Sequence, residues 1–150
     1  MAPDTYRPLI SEVFRKVNNA KTKAEKTELL RKYNSQTLRS LLIWNFDESV
    51  KSMIPEGDVP FTPNPAPEGT DHVKLENEGK KLFYFVKGGA DSMSQTKREQ
   101  IFLGMLESLH PDEAEVLILV KDKALQKKYN RISKALIQET FPQIQWGNRS

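Results

Sequence analysis

Five of the chain's nine prolines, Pro55, Pro60, Pro63, Pro65 and Pro67, fall within the stretch PEGDVPFTPNPAPEG at residues 55–69. Proline lacks a backbone donor and fixes φ, so this stretch can form neither a helix interior nor a central strand. It separates flanks of about 50 and 80 residues. Each flank alone is near the size at which a core becomes marginal. The flanks are therefore expected to share one core, as a single domain crossed by an extended strap. Ile54, Val59 and Phe61 are the strap's apolar residues.

On both sides the apolar residues recur at helical spacing. Leu9, Ile10, Val13, Phe14 and Val17 mark a first helix, with Pro8 suited to its first turn and Asn18-Asn19 breaking the pattern. Thr22-Lys23-Ala24-Glu25 has the form of a capping box, ahead of Leu29, Leu30 and Tyr33. Ser35 offers a cap before Leu38, Leu41, Leu42 and Phe46, and Asp47 a cap for a last turn or two ending near Met53-Ile54. After the strap, helical pattern resumes at Asp71 with Val73, Leu75, Leu82, Phe83, Phe85 and Val86. Gly79 is a weak point there, costing about 1 kcal/mol against Ala in a helix interior, and Gly88-Gly89 ends the run. Ser92 or Ser94 starts the next helix, whose face is Ile101, Phe102, Met105, Leu106 and Leu109. His110-Pro111-Asp112-Glu113 is a further helix start, with its acids in the first turn facing solvent. Its acidic start and basic end favour a helix over a strand at Ile118–Val120. A last helix covers about Ile132–Phe141, and Ile144 and Trp146 pin the tail. The expected fold is all-α, a short-helix bundle in two groups, 8–54 and 71–146, joined by a proline-rich strap at 55–70.

Composition removes several classes of chemistry. There is no cysteine, which rules out disulfides, thiolate metal sites and thiol nucleophiles. No apolar run approaches the roughly 18–20 residues of a membrane helix. The start, MAPDTYRPLI, lacks the basic-then-apolar order of a signal peptide, so none is expected. Among the two histidines, His110 with Asp112, Glu113 and Glu115, and His72 with Glu76, are the only groupings with ligand character. The first reads as a helix cap and the second as a surface pair, since a metal needs side chains converging on one point. No nucleophile–base–orienter set can be assembled, and no two acids are marked as buried. No catalytic residue, no metal and no cofactor is expected.

Charge is uneven. Ten Lys/Arg stand against six Asp/Glu over residues 1–52, six against twelve over 53–120, and seven against two over 121–150. Arg15, Lys16, Lys21, Lys23, Lys26, Arg31, Lys32 and Arg39 form one basic group. Lys121, Lys123, Lys127, Lys128, Arg131 and Lys134 form a second, beside Tyr129 and ahead of a helix. The second group is the candidate contact for nucleic acid or an acidic partner, with weak, sequence-independent affinity expected. Its other reading is a solvated face whose cations suit helix ends. Val59, Pro60, Phe61 and Pro63 are the candidate partner strap, because Pro60-Phe61-Thr62-Pro63 has PxxP spacing. Docking of Val59 and Phe61 on the protein's own helices is the favoured reading of that segment.

The strings IPEGDVPFTP, FVKGGADSMSQTKREQIFLGMLESLHPDEAEVL and FPQIQWGNRS resemble an uncharacterised family of small proteins encoded by large contractile-tailed phages of marine cyanobacteria and related bacteria. The resemblance implies a setting, the infected host cytoplasm or the virion, and carries no catalytic motif. The expected function is that of a non-catalytic accessory protein binding a phage or host protein during infection. The alternatives are a virion component bridging or decorating other subunits, and a small nucleic-acid-binding factor.

Overall fold

The computed structural model describes residues 8–63 and 73–148. They form six α-helices: α1 (Ile10–Asn19), α2 (Lys23–Lys32), α3 (Gln36–Phe46), α4 (Gln95–Ser108), α5 (Pro111–Lys121) and α6 (Lys134–Thr140). Two 3-10 segments, Leu75–Phe85 and Leu125–Lys127, complete them. No β-strand occurs among the described residues; there are two isolated bridges, Ser52–Val86 and Val73–Leu109. The all-α expectation holds.

The helix starts follow from local chemistry. The hydroxyls of Thr22, Ser35, Ser94 and Ser133 accept the N–H of Glu25, Leu38, Lys97 and Leu136, satisfying first-turn donors. At α2 the box is offset, because the Glu25 carboxylate accepts the N–H of Lys21 rather than that of Thr22. His110 caps α5 through Nδ1, which accepts the Asp112 N–H at 3.0 Å. Residues 118–120 lie inside α5, as the charge pattern favoured.

Four boundaries differ from expectation. Pro8 stands outside α1, whose N-cap is Leu9, and Asn18-Asn19 extends that helix instead of breaking it. Asp47 ends α3 and caps a single turn, its Oδ1 accepting the Ser49 N–H at 2.9 Å and its carbonyl the Val50 N–H at 3.1 Å, so the turn stops short of Met53-Ile54. Residues beyond it run extended, with the Met53 N–H on the Phe85 carbonyl (2.7 Å) and the Lys87 N–H on that of Lys51 (2.8 Å). The segment after the strap is a 3-10 run rather than an α-helix, and Val73 is exposed at its approach. The proposed cap at Asp71 lies outside the described residues.

One apolar cluster holds the fold. α5 is its axis, touching α1, α3 and α4, with Ala114, Val116, Leu117 and Val120 fully buried. Phe14, Phe85 and Phe102 are its largest fully buried side chains. Trp44 stacks on Phe85 with ring centroids 6.4 Å apart, so residues from both sides of the strap pack directly, and Phe85 meets Phe102 edge-on at 5.1 Å.

Buried polar groups join distant segments. Glu113, 1% exposed, accepts the N–H of Ile10 at 2.8 Å and of Leu75 at 2.9 Å. One carboxylate thereby ties the starts of α1, α5 and the 3-10 run. The expectation that this acid faces solvent is overturned, because two orphan donors of neighbouring elements point at it. Glu12 and Asp47 are buried as well, so the absence of buried acids is also corrected. Arg98, also buried, donates to the carbonyls of Tyr84, Ala90 and Met93 and fixes the turn before α4.

Candidate functional site

Val59 and Phe61 are half-buried against the core, while Pro60 and Pro63 are exposed. The strap is held by its backbone as well. Lys121 Nζ donates to the carbonyls of Pro55 (2.9 Å) and Gly57 (2.7 Å) and to Asp122 Oδ1 (2.7 Å). The Gly57 N–H reaches Asp122 Oδ2, and the Thr62 N–H reaches Glu107. Pro65 and Pro67 lie outside the described residues.

The second basic group does not form one contact surface. The Lys121 ammonium is enclosed by the strap carbonyls and is closed to an outside ligand. Lys123 adopts φ 56° and donates to the Trp44 and Asp47 carbonyls. Burial lowers its pKa, against the opposing pull of Asp47. Both were read as contact residues because a cation run looks solvated in sequence; the carbonyls that bind them are about 65 to 80 residues away. Lys127 is exposed, Lys128 pairs with Glu115, and Lys134 lies 5.2 Å over the Trp146 ring. The Glu115 hydrogen bond raises the Lys128 pKa. Arg131 is exposed, its backbone held by Asn18.

The acids beside His110 also part company. Glu113 points inward to two backbone donors, and Glu115 pairs with Lys128. No cluster of three ligand-type side chains occurs among the described residues. His72 lies outside them. Burial raises the Glu113 pKa; its two N–H donors act against that, and nearby Glu12 and Glu76 add to it.

A partly apolar concavity lies elsewhere. It runs along the outer face of α3, where Gln36, Ser40 and Ile43 form the floor. Its main section, about 640 Å³, is walled by Leu82, Phe83 and Val86, with Trp44 and Val50 below. A polar annex beside Thr37 and Glu76 and a second section beside Ile144 continue from it. The wall is built by the 3-10 geometry. Residues three apart eclipse in such a turn, so Leu82 and Phe85 turn inward together. Phe83 then points out, 45% exposed, its ring 4.3 Å from that of Tyr84.

Gly79 permits the close approach of this wall to α3. A Cβ there would overlap Thr37 Oγ1, which donates to the Glu76 carbonyl at 2.7 Å. Gly79 is therefore a packing requirement rather than the weak point expected of it. Arg39, Lys80 and Lys87 supply positive charge to the rim, against Glu76 alone.

The sequence reading counted Phe83 among the apolar positions of a helical pattern and gave this groove no role. Its signal was the run Phe83-Tyr84-Phe85, because three consecutive aromatics cannot share one buried face of a helical turn.

No helix among the described residues is long and apolar enough to cross a membrane. A family model described as a family of unknown function, DUF6433, matches residues 13–127. No curated protein and no solved structure matches the chain.

Proposed function

Because this chain belongs to DUF6433, a family of unknown function, and inherits no activity from it, we propose that it acts by binding a partner protein through the groove along α3. The observation that carries this reading is Phe83. It is the most exposed large apolar side chain among the described residues, and it stands on the wall of an apolar groove. Exposed apolar surface rimmed by polar residues is characteristic of protein contact sites. The basic rim supports a partner segment of definite chemistry, an amphipathic stretch with apolar anchors flanked by Asp and Glu.

The resemblance to phage proteins supports an infected bacterial cell as the setting and a phage or host protein as the partner. The decisive experiment compares affinity capture from infected cells by the native chain and by Phe83→Glu, alongside the protein content of purified virions. The reading expects a protein retained by the native chain and lost with the variant, and the chain itself absent from virions. Equal capture by both baits overturns the groove. The chain found at stoichiometric level in virions replaces the accessory role with a structural one.

A further inference from the structure

Most of the first basic group is brought together by the fold, unlike the second; Arg39 lies apart, at the α3 groove. α2 packs between α1 and α6, and its cations gather at its two ends. At the C-terminal end, Lys16 from α1 and Lys32 from α2 approach the same ring. Their ammonium groups lie 5.8 and 5.3 Å from the Tyr33 centroid, with Arg31 adjacent in sequence. At the N-terminal end, Lys26 donates to the Arg131 carbonyl at 3.1 Å, so Lys23, Lys26 and Arg131 gather there. An open trough along α2 connects the two ends through Lys23, Arg31 and Lys32.

The acids on this face are Glu25, Glu28 and Glu139. Glu139 pairs with Lys23, and Glu25 is turned to the Lys21 backbone. A net positive surface remains. Its two ends are separated by six to nine helical residues, or about 9–13 Å at 1.5 Å per residue. That span is close to the roughly 12 Å width of a duplex major groove.

We infer that the α1–α2–α6 face binds the phosphate backbone of duplex DNA, one cation cluster meeting each strand bordering a groove. A duplex fits better than a single strand. Single-strand sites depend on aromatic rings open to base stacking, whereas Tyr33 lies against Lys16 and Lys32, and Trp146 against Lys134. No element on this face is built to enter a groove and read base edges, so affinity is independent of sequence. This inference does not rest on the α3 groove, whose cations are a different set.

The test is fluorescence anisotropy of a labelled mixed-sequence DNA duplex titrated with the full-length protein at several salt concentrations. About four phosphate contacts give a slope of log affinity against log salt near −3.6, or roughly a 100-fold loss between 50 and 200 mM. Lys16→Ala/Lys32→Ala should reduce the slope by about 2. The charge-matched control Lys80→Ala/Lys87→Ala should leave it unchanged. Circular dichroism establishes that each variant folds; if the first does not, Lys23→Ala/Arg131→Ala takes its place with the same expectation.

No binding at 50 mM salt overturns the inference. Equal loss in test and control variants also overturns it, since net charge alone would then explain retention. Tighter binding of the matching single strand contradicts the duplex assignment. Displacement by polyglutamate at equal charge concentration would identify an acidic protein surface as the true ligand.

Discussion

Replacing Glu113 probes how a bundle of short helices is held together. The carboxylate takes two buried backbone N–H groups from segments 103 and 38 residues away. Glu113→Ala strands both donors. Each stranded buried donor costs about 1–3 kcal/mol, so the two together cost about 2–6 kcal/mol. Removing a group that burial disfavours in its charged form offsets part of this. A net loss of about 2–4 kcal/mol is expected, a large share of the roughly 5–15 kcal/mol typical of a domain. At 2–4 °C per kcal/mol for a chain of this length, the melting temperature should fall by about 4–16 °C. Glu113→Gln keeps one acceptor but sets an amide NH2 against the other donor, and should cost about 1–3 kcal/mol.

The pH dependence has a definite sign. The folded pKa of Glu113 is raised, so the folded state holds its proton to higher pH than the unfolded state does. This group's contribution is fully present below the ordinary carboxylate value and is lost as pH rises through the raised folded value. The stability difference between the native chain and Glu113→Gln should therefore shift against the native chain over that window. Urea unfolding followed by far-UV circular dichroism at a series of pH values measures both effects. A cost for Glu113→Ala below about 0.5 kcal/mol, the range of ordinary surface changes, would refute the clamp.

Three further outcomes follow from the packing. Phe61→Ala should cost about 1 kcal/mol, roughly half the 1.5–3 kcal/mol of a fully buried side chain, lowering the melting temperature with low-temperature helix content unchanged; unaltered stability with loss of a partner would make the strap a recognition arm. Gly79→Ala should destabilise by about 1–3 kcal/mol through overpacking against Thr37, read as a lower urea midpoint; a stabilised variant would restore simple helix propensity as the controlling factor. Lys121→Met removes the donor to two strap carbonyls, and limited proteolysis should then cut faster within residues 55–63; an unchanged cutting rate would show that Val59 and Phe61 suffice.

What could be read from the sequence was what is decided within a few residues. The Ser and Thr caps at Thr22, Ser35 and Ser94 act on donors three positions away, and their side chains sit where the spacing puts them. Glu113, Lys121 and Lys123 have the same local signatures as solvated helix-end charges. Their fate is set by backbone groups from other segments, which no window of local sequence contains. Gly79 shows the same limit, since only the nearness of Thr37 turns a helix-weakening residue into a required one. The candidate surfaces divide likewise. The α2 cations form a face because they share one helix, whereas the 121–134 cations follow a helix end and a turn and disperse. The α3 groove depends on a 3-10 run, whose three-residue period the apolar spacing of 73–86 did not disclose.

The proposed binding through the groove along α3 is tested most directly by placing the photo-crosslinking amino acid p-benzoylphenylalanine at position 83 and irradiating cells that express the chain. Binding through the groove predicts one dominant crosslinked protein, with the crosslink mapping to an acidic amphipathic segment and diminished by Lys80→Glu/Lys87→Glu. The same photo-probe at the exposed Lys127 should give none of that product. Crosslinking from position 127 but not from position 83, or no product from 83 at all, would contradict the account.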